Sequence, residues 1–315
     1  MHLIESSVTI IPQDPGLEGM YKQCELAGRT AYKSEDRITE GSAKKFVDAM
    51  IRSNHGAVLE HGTIYLMVSD GLPGAMANDG EKGVEIIDFY TKNKYSKVNF
   101  KYIGCGVYQN YITTNLRVLF ENNRLDDLQY LCEPTEYHEK RITVKFICSR
   151  SIAQEITRHR VFSFLMESQR YVGYNKDKFG GEITIIIPEW IKARINDIAS
   201  YNNNDDLAQI SYAEALYDGR MHEDKAIIMW ATSQDMSEKH YLILTSELNI
   251  KPEEARSVLT NDCKTELIMT GFVSDWKHFF DLRSKGITGK PHPDIKILAD
   301  TLLLEFINKG YYVED

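Results

Sequence analysis

Arg141-Ile142-Thr143-Val144-Lys145-Phe146-Ile147-Cys148 alternates polar and apolar side chains and reads as a β-strand. Three residues on, Ser151-Ile152-Ala153-Gln154-Glu155-Ile156-Thr157-Arg158 puts Ile152 and Ile156 on one helical face. Ser151 and Gln154 have the spacing of a capping box. The helix runs into Arg158-His159-Arg160 and then into Val161-Phe162-Ser163-Phe164-Leu165-Met166-Glu167-Ser168-Gln169-Arg170-Tyr171, a polar, bend-prone loop with aromatic flanks.

Outward from this stretch, strands and helices stay mixed without a repeating rhythm. Strands are predicted over 2–11, 63–68, 182–187 and 265–270. Helices are predicted over 16–31, 42–53, 111–122, 124–131, 206–216, 237–248, 275–282 and 294–307. A further helix starts at Pro252, which suits a first turn, with Glu253 and Glu254 complementing the dipole. Residues 70–83 are glycine-rich and read as loop. This order favours an α+β fold over a doubly wound sheet.

The chain has 315 residues, 43% hydrophobic and 26% charged, the composition of a globular protein with a sizeable core. No apolar run reaches the length of a membrane span. The N-terminus lacks the basic-then-apolar layout of a secretion signal, so a cytoplasmic protein is expected. The five cysteines are scattered and form no Cys-x-x-Cys, which argues against a disulfide framework or structural zinc. With a net charge of −9 and arginines concentrated locally, a small phosphorylated ligand is a better partner than a polynucleotide. Neither a Gly-x-Gly-x-x-Gly nor a Gly-x-x-x-x-Gly-Lys-Ser/Thr motif occurs, so a dinucleotide bound here is not held by the Rossmann device.

Arg158, His159 and Arg160 repel one another unless they meet an anion, and arginine's planar fork suits phosphate oxygens. Alone, an Arg-His-Arg is by default a solvated basic helix end. The loop after it changes the balance, because hydroxyls, backbone amides and a forked cation together hold phosphates. Other residues have plain readings. His61 suits a satisfied histidine at a strand start, Arg256 a helix-surface ion pair, Trp276, Phe279 and Phe280 the core, and His292 a turn.

Arg-His-Arg, seven residues, Ser168 and then Arg170-Tyr171 resembles the signature of the flavin-dependent thymidylate synthases. Four more segments resemble that family in the same order. They are Leu59-Glu60-His61 before Thr63, the run from Leu248 to Leu259 around Ala255-Arg256, Asp275-Trp276 through His278 to Arg283, and Pro291-His292. The resemblance implies a methyltransferase that converts dUMP to dTMP. It implies FAD as cofactor, and NADPH and methylenetetrahydrofolate as co-substrates. The subunit would be one domain over 1–315, with helices around a strongly twisted, mainly antiparallel sheet and an enlarged insertion around 70–139. It would act as a homotetramer with neither nucleic acid nor membrane as partner. By matched position, Glu155, Arg158, Glu167, Ser168, Gln169, Arg170, Arg256 and Arg283 serve dUMP, with Arg283 catalytic at the uracil ring. His61, Thr63, Arg158, His159, Arg160, His278 and His292 serve FAD.

The chain departs from the family at Met166, where a polar contact is usual, and at Phe272 and Ser274, where flavin contacts are usual. These departures keep a non-catalytic nucleotide- or flavin-binding homologue as the alternative. A nucleic-acid module built on the Arg/aromatic cluster is disfavoured by the acidic total.

Overall fold

The computed structural model describes residues 1–71, 80–170, 173–174, 181–201, 210–218, 221 and 223–312. In chain order the elements are strands β1 (His2–Ile4) and β2 (Ser7–Ile11), helices α1 (Gly16–Tyr32), α2 (Ser42–Arg52) and α3 (Gly56–Leu59), strand β3 (Thr63–Gly71), helix α4 (Gly80–Lys92), strands β4 (Lys97–Gly104) and β5 (Val107–Asn115), and helix α5 (Leu116–Glu121). Then come β6 (Arg141–Ser149), α6 (Arg150–Ile156), β7 (Ser163–Met166), β8 (Thr184–Ile186), α7 (Glu189–Tyr201), α8 (Tyr212–Ala215), α9 (Lys225–Leu242), α10 (Pro252–Ala255), β9 (Lys264–Phe272), α11 (Val273–Arg283) and α12 (Pro293–Asn308).

A four-stranded antiparallel sheet, in the order β2-β6-β9-β7, carries the candidate site. The alternation of β6 has a direct consequence. Ile142, Val144 and Phe146 enter a core with Leu267, Met269, Trp276, Phe279 and Phe280, so α11 and α12 cover that face. Arg141, Thr143 and Lys145 necessarily point to the other face, on which α1 packs. A second antiparallel sheet, β3-β5-β4, shares a core with α1, α2 and α4. The parallel pair β1-β8 belongs to a third core with α7 and α9. The expected mixed α+β fold with mainly antiparallel pairing is present.

Several local expectations give way. The strand predicted over 2–11 breaks between Ile4 and Ser7, because its halves pair with different partners, β8 and β6. The helix predicted over 111–122 is strand as far as Asn115. Tyr111, Ile112, Thr113 and Thr114 are β-formers, and β5 is sandwiched between its hairpin neighbour β4 and the more distant β3, pairings that override the local helical spacing. Only Leu116–Glu121 is helical, capped by the Asn115 side chain accepting from the Val118 amide at 3.2 Å. The stretch over 124–131 is a 3₁₀ segment, Leu125–Tyr130. Ser149, not Ser151, caps α6, accepting from the Ile152 amide at 3.4 Å. The helix predicted over 237–248 starts as early as Lys225, where Asp224 accepts from two amides, and closes in a π turn, Ile243–Glu247. Of the helix predicted over 206–216, residues 206–209 lie outside the described residues, and Tyr212–Ala215 is helical behind a Ser211/Glu214 capping box. Residues 72–79 of the expected 70–83 loop also lie outside them; helix α4 begins at Gly80.

Candidate active site

Helix α6 ends at Ile156, so Arg158-His159-Arg160 forms the turn beyond it, with the His159 amide donating to the Ile156 carbonyl at 3.1 Å. The turn separates the three side chains. Arg158 and Arg160 are exposed, while His159 turns inward against the Phe279 ring, 5.0 Å between centroids. The expected mutual repulsion is therefore relieved by direction.

Arg283, at the end of α11, reaches across to this turn. Its Nε donates to His159 Nε2 at 3.1 Å, one terminal nitrogen donates to Glu155 Oε2 at 3.1 Å, and the other to the Glu155 carbonyl at 3.4 Å. An Nε2 that accepts is unprotonated. Burial, then Arg283, then His278 push the His159 pKa down to about 4, so the ring is neutral at pH 7. His278, exposed one turn before the end of α11, lies 6.5 Å from His159 between ring centroids. Glu155, His159, His278 and Arg283 thus form one group, and Arg283 stays partly exposed at its edge.

Strand β7 leads from the turn into the motif loop. The Glu167 amide donates to the Glu266 carbonyl at 2.8 Å, and the Ser168 amide to the Ala31 carbonyl at 3.0 Å. The Glu167 side chain is 3% exposed and takes Lys264 Nζ at 3.0 Å. Lys264 also meets Glu266 at 2.5 Å, and Glu266 meets Lys33 and Lys145 as well. Burial raises the Glu266 pKa, but Lys264, Lys145 and Lys33 overcome this and hold it at about 2. Gln169 is buried too, its Nε2 donating to Cys263 Sγ at 3.6 Å. Glu167 and Gln169, expected at the nucleotide, therefore face inward and anchor the loop. Ser168 is partly exposed and Arg170 exposed; Tyr171 lies outside the described residues. Met166 packs against the apolar core, which accounts for its lack of a polar group.

The remaining candidates stand apart from this group. His61 is fully buried at the start of β3, its Nδ1 2.8 Å from Thr270 Oγ1, and burial drives its pKa down to about 3, with Arg141 adding to the effect. Thr63 is buried as well; its backbone N–H and carbonyl are both bonded by the Gln13 amide, and its hydroxyl accepts from Arg141 at 3.4 Å. Arg256 is exposed at the end of α10, its Nε on the Glu253 carbonyl at 3.2 Å rather than on a carboxylate. His292 caps α12, accepting from the Asp294 amide at 3.2 Å. Phe272 is buried, and Ser274 donates to Glu139 at 2.5 Å. Sequence reasoning missed Lys33, Lys145, Lys264 and Glu266. The available signal was Lys264 and Glu266 on one face of an otherwise apolar strand.

An α+β chain with exposed arginines at a helix end and a neutral buried histidine behind them has the makings of a ligand-binding protein. The chain belongs to the family described as thymidylate synthase complementing protein, whose family model matches residues 135–309, more than half of its length. It is similar to the flavin-dependent thymidylate synthase of Corynebacterium efficiens, with 28% identity over 151 residues, 48% of this chain and 50% of that one. It is also similar to that of Synechocystis, 27% identical over 165 residues, 52% of this chain and 66% of that one. The chain spans about half the length of the curated relatives it matches. Among solved structures it is compared with Thymidylate Synthase X from Helicobacter pylori with FAD and dUMP, at 15% identity and a TM-score of 0.37, covering 98% of this chain and 96% of that one.

Proposed function

We propose that this chain is a flavin-dependent thymidylate synthase, converting dUMP to dTMP with methylenetetrahydrofolate as carbon donor and NADPH as reductant. The observation that carries the reading is the Arg283–His159–Glu155 group at the Arg-His-Arg turn, inside the segment that matches the family. Arg158 and Arg160 fit a flavin dinucleotide. Both are exposed cations, and among the described residues neither has a carboxylate partner, so their charge is available to a pyrophosphate. FAD bound there would carry the reducing equivalents for the transferred carbon.

The chain's own part is positional and electrostatic. Ser168 and Arg170 hold the nucleotide phosphate, on a loop whose angle is set by Glu167 and Lys264. The Arg283 fork lies beside the uracil ring and stabilises the negative charge that develops when N3 loses its proton, which enriches C5 for attack on the one-carbon unit. His159 helps aim that fork. Being neutral, it accepts from Nε without adding a second positive charge. No cysteine nucleophile is required, which suits Cys24, Cys148 and Cys263, all buried with their pKa values raised by burial.

The same reading makes the protein a single-domain subunit of a homotetramer, with 70–139 as an insertion. The homotetramer rests on the family reading alone, and one observation supports the insertion. The family match begins at residue 135, and β4, β5, α4 and α5 pack onto β3 ahead of it. Among the described residues no helix is long and apolar enough to cross a membrane. Flavin retention tests the cofactor assignment: replacing both Arg158 and Arg160 by alanine should leave a folded protein that purifies without flavin absorbance.

A further inference from the structure

The end of the main sheet where β2 meets β6 holds a second feature, built on other cations than the Arg-His-Arg turn. A cavity of about 190 Å³ lies between the end of β2, the start of β3 and the start of β6. Lys140 and Arg141 line it, together with Tyr65, Thr63 and Gln13, and none of its lining residues is Asp or Glu. In a chain of net charge −9, a cavity with two neighbouring cations and no acid is a local reversal of sign.

Arg141 is the second, independent observation. It is 9% exposed, and among the described residues it makes no ion pair. Its terminal nitrogens donate to neutral oxygens only, the Glu60 carbonyl at 3.0 Å, Thr63 Oγ1 at 3.4 Å and Ser163 Oγ at 3.4 Å. Its Nε is buried without a hydrogen-bond partner, and the guanidinium lies over the Phe272 ring, 5.6 Å from its centroid. The Glu60 carboxylate is engaged by Arg117. A buried guanidinium with no carboxylate bonded to it is costly; burial lowers its pKa to about 10, and the nearby Tyr65, Glu60 and Asp275 offset only part of that. Lys140 is exposed and lies over the Tyr311 ring, 5.5 Å from its centroid, with no ion pair among the described residues.

We propose that this cavity binds a small oxyanion, a phosphate or carboxylate group, with Arg141 and Lys140 as its charge partners and the Tyr65 and Thr63 hydroxyls alongside. The arginine fork matches the geometry of two oxyanion oxygens. The volume lies below the roughly 300 Å³ at which pockets take drug-sized ligands, so the group bound is small or is the end of a larger molecule left outside. This site does not depend on the thymidylate synthase reading and uses different cations.

The test is the melting temperature of the full chain titrated with inorganic phosphate or with acetate, at ionic strength held constant with chloride. Wild type should gain several degrees saturably, because a ligand that binds only the folded state stabilises it. Arg170→Ala, which removes the nucleotide-phosphate contact proposed above, should respond like wild type. Lys140→Ala, an exposed position that leaves the fold intact, should weaken the response about tenfold or more. Arg141→Gln should abolish it, and Lys140→Ala keeps the test decisive if that variant does not fold. A response to phosphate alone or to acetate alone assigns the oxyanion. No saturable shift with either, or a shift untouched by Lys140→Ala, overturns the site. A shift lost in Arg170→Ala instead would assign the binding to the nucleotide loop and refute this proposal without harming the functional reading.

Discussion

Arg283 and His159 carry different kinds of information at the scale of single residues. In the proposed reaction the guanidinium acts through its fork, so Arg283→Ala should lower kcat by several orders of magnitude while flavin absorbance is retained. Arg283→Lys should be nearly as poor, since a point charge cannot bond Glu155, His159 and a uracil edge together. Turnover close to wild type in either variant would show the assignment to be wrong. His159 and His61 supply a pH prediction. Their folded pKa values, about 4 and about 3, lie below the ordinary 6.5, so the unfolded chain binds protons that the folded one refuses. Stability should therefore fall as the pH drops from about 6.5 toward 4, and be level above that window as far as these two groups decide it. His61→Gln, which cannot take up a proton, should flatten the fall in melting temperature measured between pH 7 and 5. The Arg-His-Arg cluster was legible in the sequence, but its division was not. That His159 points in while Arg158 and Arg160 point out depends on Phe279 and Arg283, more than a hundred residues away.

Among the elements, β6, β9, α1, α11 and α12 were legible because their own periodicity agrees with their packing. Strand β5 was not, because its pairing with β3 and β4 overrides a helical spacing. The buried role of Glu167 was equally hidden, since its partner Lys264 lies on β9, 97 residues on. That pairing makes a firm prediction. Lys264→Ala leaves Glu167, and one side of Glu266, without a counter-charge, and should cost about 3 kcal/mol of stability in urea unfolding. It should also raise KM for dUMP more than it lowers kcat, because the loop carrying Ser168 and Arg170 loses its anchor. Gly271 on β9 sits against the Phe162 ring, where an added Cβ would lie 2.2 Å from Cδ1. Gly271→Ala should then cost about 2 kcal/mol and disturb the same turn. A variant as stable as wild type would mean that Phe162 moves freely.

For the whole molecule, the main sheet has an apolar core on one face and a polar row of Arg141, Thr143 and Lys145 on the other, and the candidate group forms where α6 and α11 end. Arg158, Arg160, Arg170 and Arg256 are all exposed in the single chain, which fits a site completed by neighbouring subunits. Light scattering of the purified protein tests the proposed homotetramer, which gives a mass four times that of one chain. The most direct trial of the account is mass-spectrometric detection of dTMP after anaerobic incubation of the protein with dUMP, methylenetetrahydrofolate, FAD and NADPH. The account predicts dTMP formation that depends on FAD and disappears in Arg283→Ala. A folded, flavin-loaded protein that binds dUMP and forms no dTMP would contradict it, and would make the chain a nucleotide- and flavin-binding homologue without turnover.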